Sequence, residues 1–461
     1  MGTVIRGGRV VTGGGTVATD VRVESGQIVS LGEGLLQPGD AVLDASGCYV
    51  MPGGIDSHTH IEMPAGDLGW NADDWYSGTA AAVAGGTTCV IDMITQDPGG
   101  SLGAALADWQ VRAAPRAVAD YSFHMGVIDP RPAVLAEMAA VVAAGVPSFK
   151  IYLAYKGRLM VDDGQAFQIM REAGRLGAWT LVHCENGDLI DVLIAEARAA
   201  GRLEAGVHGS TRPPVGEGEA TNRAIQLARL AGAPVHIVHV SCRESLEAVL
   251  RARLAGHRVR AEACLPHLVL TEAAYERPGF AAAPFVLSPP LRSEADREAL
   301  WTGLTTGALD FVATDHCPWH LKGQKDRGVD DFSRIPNGVG SIEERMALLW
   351  TLGVKSGRWS PAEFVAATSG RAARIFGLRT KGAIQVGYDA DILVWDPGVG
   401  RTLSVQTQHS HVDHSAFEGM AVTGQARFVL VGGRMAARDG EPVPEAGSGR
   451  FVRRVPVDPP L

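Results

Sequence analysis

Eight short apolar runs, most of them separated by longer helix-like stretches, fill the chain between residues 52 and 375 and constrain its fold more than any other feature. The runs are GIDSHTH, TTCVIDM, YSFHMGV, SFKIYLA, WTLVHCE, VHIVHVS, RVRAEAC and LDFVATD. Helix-like sequence such as VLAEMAAVVAAG and RESLEAVLRARLAG lies between them. Short buried strands that alternate with helices are typical of a parallel sheet, and eight such units predict a TIM-type (β/α)8 barrel.

A doubly wound open sheet is the second architecture that fits this alternation. A nucleotide-binding sheet of that kind normally carries a glycine-rich phosphate loop after its first strand. Neither GxGxxG nor GxxxxGK[ST] occurs in the chain, so the barrel is favoured.

The two ends of the chain follow a different pattern. Residues 1–51 and 376–440 contain short segments of period-2 alternation between glycine-rich turns, such as DVRVESGQIVSLG and ARFVLVGGRMAARDG. This pattern predicts strands, so we expect both ends to build one small, discontinuous β-sandwich domain around a barrel of residues 52–375. Residues 441–461 hold five prolines and predict an extended C-terminal arm.

Composition and charge exclude several classes of protein. Hydrophobic residues make up 46% and charged residues 20% of the 461 residues, which is ordinary for a soluble globular protein. The formal charge of −9 and the absence of a basic block argue against a nucleic-acid partner. The longest apolar stretch, residues 80–94, is interrupted by glycine, threonine and aspartate and is shorter than the roughly 20 residues of a membrane span. The six dispersed cysteines form no CxxC pair and fit a reducing cytoplasm.

Polar residues interrupt the apolar runs near their ends, and this is where chemistry is expected. The interrupting residues are His58, His60, Lys150, His183, His239 and Asp315. Any one histidine in such a run is more often structural than functional. In a parallel barrel, however, the carboxyl ends of all strands meet at one mouth, where barrel active sites lie. We therefore expect all six side chains to face a common site.

Four imidazoles and a carboxylate are suitable ligands for zinc, manganese or iron. The spacing of His58 and His60 places both rings on one side of a strand, as a chelate requires. Six ligands exceed what one catalytic zinc accepts, so the sequence predicts two divalent metal ions, with Zn²⁺ favoured and Mn²⁺ as the alternative.

Lys150 would repel two cations as an ammonium group. Burial and neighbouring positive charge both lower the pKa of a lysine, and the resulting free amine can add carbon dioxide. The carbamate would be an anion able to bridge two metals, which are typically about 3.5–4 Å apart. The alternative is that Lys150 is a rim lysine that extends to solvent.

Several longer segments carry a resemblance that spans nearly the whole chain. They are MPGGIDSHTHIEMP, FKIYLAYKG, LVHCENGD, EATNRAIQLARLAGAPVHIVHVS, SPPLR, ATDHCPW and QKDRGVDDFSRIPNGVGSIEERM. Together they resemble the cyclic amidohydrolases, and among these the dihydropyrimidinase and D-hydantoinase branch. The resemblance implies a barrel hydrolase that opens the ring of dihydropyrimidines and 5-substituted hydantoins to give N-carbamoyl amino acids, commonly as a homotetramer.

The resemblance also assigns roles residue by residue. It implies that His58, His60 and Asp315 bind one zinc, that His183 and His239 bind the other, and that carboxylated Lys150 bridges the two. It further implies that Asp315 acts as base and then as acid, that Tyr155 supports the oxyanion, and that the segments around Ser288 and Asn337 contact the cyclic amide through their main chains. Met63, Leu68, Trp70, Tyr152 and Leu159 are candidates for an apolar gate around the 5-substituent, although ordinary packing would account for them equally well.

Two other functions stay open at this stage, and a third is disfavoured. An allantoinase is the nearest alternative. A non-catalytic scaffold relative would have lost its ligands, whereas all six positions are filled here. A dihydroorotase usually carries an arginine directly after its HxH motif, and this chain has Ile61 and Glu62 there, which disfavours an anionic substrate.

Overall fold

The computed structural model describes residues 2–443 and 446–456. Its first strands are short and turn-rich: β1 (Thr3–Arg6), β2 (Arg9–Thr12), β3 (Gly15–Ala18), β4 (Asp20–Glu24), β5 (Gln27–Gly32), β6 (Ala41–Asp44) and β7 (Tyr49–Pro52). Four of them form a sheet in the order β5-β4-β1-β6. The other three, β2, β3 and β7, belong to a second sheet that the far end of the chain completes.

The eight apolar runs form eight strands: β8 (Gly54–Thr59), β9 (Thr87–Thr95), β10 (Asp120–Gly126), β11 (Ser148–Tyr152), β12 (Trp179–His183), β13 (Val235–Ile237), β14 (Val259–Cys264) and β15 (Phe311–Ala313). Neighbouring strands pair in parallel and in chain order. The first and last strands also meet, since the His60 N–H donates to the carbonyl of His316 at 2.8 Å and the Thr314 N–H donates to Asp56 Oδ1 at 3.1 Å. The predicted TIM-type barrel is therefore confirmed.

Helices connect the barrel strands and cover their outer face. They are α1 (Trp75–Ala84), α2 (Leu102–Ala113), α3 (Pro132–Ala143), α4 (Asp163–Arg175), α5 (Gly187–Ala199), α6 (Pro214–Ala231), α7 (Arg243–Leu254), α8 (Leu265–Val269), α9 (Glu294–Thr306), α10 (Arg345–Leu349), α11 (Pro361–Val365) and α12 (Arg371–Phe376). Helix α4 illustrates why these segments form helices on the barrel surface. Its residues Ala166, Ile169, Met170 and Ala173 recur at helical spacing and are buried. The Asp162 side chain caps the first turn by accepting a hydrogen bond from the Gln165 N–H at 2.8 Å.

Short 3₁₀ turns lie in the loops, and two π-helical segments continue α10 and join α11 to α12. The 3₁₀ turns are Gly66–Leu68, Ala205–Thr211, Glu272–Glu276, Gly279–Phe285, Lys325–Gly328, Phe332–Arg334 and Val405–Thr407, and π-helical turns span Trp350–Lys355 and Ala366–Gly370. Across the described parts of the chain, no helix has both the length and the apolar content that a membrane crossing requires.

The last strands return to the start of the chain. They are β16 (Ile392–Thr402), β17 (Ala421–Val431), β18 (Arg434–Arg438) and β19 (Glu441–Pro442), and the second sheet runs β19-β18-β17-β16-β7-β2-β3. Strand β16 pairs with β7, so Trp395 lies opposite Tyr49. Residues from both ends of the chain thus share one sheet. We therefore propose that the chain is organised into a terminal β domain (1–51 and 376–440) and a barrel domain (52–375).

Residues 446–456 run along the amino-terminal ends of the barrel strands, opposite the mouth. The Val452 N–H donates to the carbonyl of Tyr121, at the start of β10, at 2.7 Å. Arg454 is buried and donates from Nε to Ser122 Oγ at 2.9 Å and from Nη2 to Ser148 Oγ at 2.7 Å. Within the predicted arm, Glu441–Pro442 form β19, which pairs with β18 in the second sheet, and residues 446–456 pack on the barrel. Residues 444–445 and 457–461 of the arm lie outside the described residues.

Candidate active site

The carboxyl ends of the barrel strands bring the predicted residues around one cavity. His58 lies in β8, Lys150 in β11 and His183 at the end of β12. His60 directly follows β8, and His239 and Asp315 lie two residues after the ends of β13 and β15. The cavity has a volume of about 900 Å³. Its lining includes all nine residues predicted from the sequence: His58, His60, Lys150, Tyr155, His183, His239, Ser288, Asp315 and Asn337.

His58, His60 and Asp315 form a compact group at the base of the cavity. Asp315 Oδ1 is 3.2 Å from His58 Nε2 and 3.1 Å from His60 Nε2, and one ligand atom from each residue lies within 4.8 Å of the other two. His58 Nε2 is buried and has no hydrogen-bond partner with acceptable geometry among the described residues. Burial lowers the pKa of His58 well below its usual value, so the ring is neutral and carries a lone pair. A neutral, unpartnered imidazole nitrogen next to a carboxylate fits a divalent cation.

His183 and His239 form a second pair beside the first group. His183 Nδ1 is 2.9 Å from His239 Nε2, so two ring nitrogens converge on one point. Burial lowers the pKa of both rings. Contacts on the Nε2 side of the ring fix the orientation of His183. Its Nε2 is 2.8 Å from a Glu185 oxygen, and Glu185 in turn accepts a hydrogen bond from Arg212 Nη1 at 2.7 Å.

Lys150 lies between the two groups and is only 1% exposed. Among the described residues no carboxylate oxygen lies within 4.0 Å of its Nζ, and the ring centroid of Tyr152 is 5.3 Å away. Burial lowers the pKa of Lys150 to about 8, with nearby acidic groups acting in the opposite direction. Lys150 therefore loses its proton more readily than an ordinary lysine, and the free amine is a nucleophile.

Three residues of this site have left-handed backbone conformations that are uncommon for side-chain-bearing residues. Their φ angles are +66° at Tyr155, +40° at His239 and +52° at Asp315. Strain of this kind costs about 1–3 kcal/mol for each residue and persists where the surrounding structure enforces it, often at functional sites. Of the three, Tyr155 is the predicted oxyanion donor, His239 is a candidate metal ligand, and Asp315 is the predicted acid–base group.

Tyr155, Ser288 and Asn337 form a polar wall of the cavity, and the Tyr155 ring lies next to that of His183, with their centroids 5.0 Å apart. Asn337 Nδ2 donates to Ser288 Oγ at 2.8 Å. Burial raises the pKa of Tyr155, so its phenol keeps the proton that a donor needs. The wall therefore offers hydroxyl and amide groups to a polar, uncharged ligand.

Four of the five gate candidates line the cavity: Met63, Leu68, Tyr152 and Leu159. Trp70 does not line it, and the expectation for this residue is wrong. Its side chain is 48% exposed and stacks under the Arg112 guanidinium at 4.8 Å, on the outer surface of the loop.

Sequence reasoning missed the groups that hold the histidines. Glu262 in β14 accepts from His58 Nδ1 at 2.5 Å and pairs with His236 Nε2 at 2.9 Å. Both residues are fully buried. The signal was present, since RVRAEAC places the Glu262 carboxylate between two alanines near the carboxyl end of its strand. The segment GGSLG also fits the serine-hydrolase pattern GxSxG, but Ser101 there caps α2, with its Oγ accepting from the Ala104 N–H at 3.1 Å.

A closed parallel barrel whose catalytic candidates all sit at the carboxyl ends of its strands defines a barrel enzyme. Comparison with known proteins gives the family. The family model described as "Amidohydrolase family" matches residues 49–436, and the chain belongs to this family.

Similar proteins span the full chain. A D-hydantoinase of Geobacillus stearothermophilus is 42% identical over 98% of this chain and 97% of its own length. The crystal structure of a dihydropyrimidinase from Brevibacillus agri NCHU1002 is 44% identical and superposes over 100% of both chains with a TM-score of 0.98. An L-hydantoinase structure from Arthrobacter aurescens is less similar, with 30% identity, a TM-score of 0.90 and coverage of 98% of this chain and 99% of its own.

Proposed function

We propose that the protein hydrolyses the cyclic amide bond of dihydropyrimidines and 5-substituted hydantoins and releases N-carbamoyl amino acids. The observation that carries the proposal is the juxtaposition, across one cavity, of four histidines, a lysine and an aspartate with a wall of neutral hydrogen-bonding groups. The proteins named D-hydantoinase and dihydropyrimidinase to which the chain is similar support the same substrate class.

The cofactor of this proposal is a pair of divalent cations, Zn²⁺ or Mn²⁺. His58, His60 and Asp315 would hold one ion, and His183 and His239 the other. Lys150, carboxylated on Nζ, would supply the anion between them, consistent with its burial and its lack of an ion-pair partner. When bound, such a pair lowers the pKa of water and polarises a carbonyl group.

Asp315 is the proposed acid–base residue. Burial alone would raise its pKa, but the hydrogen bond to His60 and the surrounding positive groups lower it below the usual value. The carboxylate is therefore ionised at neutral pH and can accept a proton from the attacking water. It then delivers that proton to the ring nitrogen as the carbon–nitrogen bond breaks, which restores the starting state.

Tyr155, Ser288 and Asn337, which form the polar wall, act on the cyclic amide itself. The phenol of Tyr155 keeps its proton and donates a hydrogen bond to the carbonyl oxygen as negative charge develops there. The segments of Ser288 and Asn337 orient the ring through hydrogen bonds, which need no charged partner and so suit a neutral cyclic amide.

Three further parts of the proposal rest on resemblance and composition. We propose a preference for D-hydantoins, because relatives named D-hydantoinase are 39–42% identical whereas the L-hydantoinase structure is 30% identical. We also propose a homotetramer, which light scattering would test. A cytoplasmic location fits the six cysteines, all of which are free thiols.

The experiment that tests the proposal is a kcat/KM panel with metal content measured on the same sample. The substrates are dihydrouracil, the two enantiomers of 5-phenylhydantoin, and allantoin. We expect turnover of dihydrouracil and faster turnover of the D-hydantoin than of the L form, with about two metal ions per chain. Lys150→Ala is expected to lose metal and activity, while Lys322→Ala, at an exposed position, keeps both. Turnover of allantoin alone would replace the proposal by allantoinase activity, and no turnover with full metal content would contradict it.

A further inference from the structure

A second buried lysine, Lys325, lies behind the polar wall of the cavity. Its side chain is 0% exposed, and it is not among the residues that line the cavity. The Nζ atom donates to the carbonyl of Val286 at 3.1 Å and to the carbonyl of Pro336 at 3.1 Å. One amine thus links two segments that are about 50 residues apart in the sequence.

Both carbonyls belong to the segments that carry the proposed ring-binding residues. Val286 lies two residues before Ser288, and Pro336 directly precedes Asn337. The same two segments are also joined by the Gly338 N–H, which donates to the Val286 carbonyl at 3.0 Å. The position of the main chain at Ser288 relative to that at Asn337 therefore depends on Lys325.

The surroundings of Lys325 give the amine no other visible role. No carboxylate oxygen lies within 4.0 Å of Nζ in the part of the chain that the structure describes. Burial lowers the pKa of Lys325 to about 7. A buried amine without an ion pair is unfavourable compared with an apolar side chain of the same volume, so packing alone does not account for it.

We propose that Lys325 is a positioning residue for substrate binding, which sets the spacing between the Ser288 and Asn337 segments so that both contact the cyclic amide. The inference rests on the proposed function, because it concerns the same ring-binding wall. Lys325 takes no part in proton transfer and contacts no predicted metal ligand. Its effect is therefore expected on the binding of the ring rather than on the chemical step.

The test is the variant Lys325→Met, which keeps the length and volume of the side chain and removes both hydrogen bonds. Lys322→Met is the matched control, since Lys322 is exposed three residues away on the same loop. We expect Lys325→Met to raise KM for dihydrouracil roughly tenfold, the size of effect that loss of one or two hydrogen bonds produces. We expect kcat to stay within about threefold, with wild-type metal content. A structural role alone would lower Tm and the active fraction and leave KM unchanged.

A double variant adds a second readout. If Lys325 acts through the wall, its effect on KM overlaps with that of Asn337→Ala, and the combined variant is little worse than the worse single one. If Lys325→Met does not fold, Lys325→Ala removes the same donors from a smaller side chain and is judged by the same criteria.

The outcomes separate the inference from the proposed function. An unchanged KM in an active, folded Lys325 variant, or KM effects that multiply with those of Asn337→Ala, would overturn the inference while the ring-opening activity stands. A wild-type enzyme that opens none of the cyclic amides would overturn both.

Discussion

The carboxylate of Glu262 holds the most deeply buried histidine of the site, and its replacement by glutamine has a calculable effect. Glu262 Oε1 is 2.5 Å from His58 Nδ1, and its other oxygen is 2.9 Å from His236 Nε2. Burial raises the pKa of Glu262, and neighbouring positive charge, such as that of the proposed cations, favours its ionised form. In that form the carboxylate accepts the Nδ1 proton and leaves the lone pair of His58 Nε2 free, on the side that faces Asp315. Glutamine keeps the shape of the side chain but has no negative charge, and its amide group can present a donor to His58 instead.

The expected loss of metal affinity is moderate because Glu262 contacts only one predicted metal ligand, His58. Loss of such a partner typically weakens metal affinity by about 10–100-fold, which corresponds to about 1.4–2.7 kcal/mol. We expect Glu262→Gln to fall in this range, with folding retained because the hydrogen-bonding geometry toward His236 can persist.

The assay is zinc retention measured by mass spectrometry after dialysis against graded concentrations of a chelator. Glu344→Gln is the matched control, since Glu344 is also buried and, among the described residues, its side chain forms no hydrogen bond to a predicted metal ligand. If the chelator midpoint of Glu262→Gln lies within twofold of that of Glu344→Gln, then Glu262 does not orient a ligand and the reasoning fails.

Three further predictions concern other parts of the molecule. Tyr155→Phe is expected to lower kcat by about 10²–10³-fold with little change in KM, because it removes one donor to the developing oxyanion; steady-state kinetics would show this, and a change within threefold would contradict the role. The hydrogen bond to Glu343 raises the pKa of His409 to about 9, above the unfolded value of about 6.5. Its stabilising contribution is therefore complete below about pH 6.5 and lost as pH rises through 9, so urea unfolding should show a decline of about 1–2 kcal/mol over this window that is absent in His409→Gln. Lys381 is buried and 2.8 Å from Asp120, so Lys381→Met is expected to lower the free energy of unfolding by about 3–5 kcal/mol, whereas Lys322→Met should leave it unchanged.

The barrel could be predicted from the sequence because its signal is local. Each of the eight runs is an apolar segment with flanking helical periodicity, and each became a strand within a few residues of the expected place. The cavity could be predicted for the same reason. A polar residue at the end of an apolar run, such as His183 at the end of β12, needs only the rule that parallel strands share one open end.

Contacts that depend on register or on distant loops could not be predicted. Glu262 in β14 meets His58 in β8 because both side chains point into the barrel interior, although the two strands are not adjacent. The order of residues along the sequence does not encode such a contact. Trp70 shows the converse error, since an aromatic residue after a strand can turn either inward or outward. Lys325 reads as an ordinary charged loop residue, and only the packing of two other segments around it explains its burial.

The sheet shared by the two chain ends bears on how the protein matures on the ribosome. Strand β7 cannot find its partner β16 until about 340 further residues have been made. At about 5–20 residues per second this interval lasts tens of seconds. During that time the edge of β7 is unpaired and open to wrong partners, including the same strand of another nascent chain. Slow synthesis or crowded polysomes should therefore lower the yield of this protein more than that of a barrel enzyme without such an end-to-end sheet.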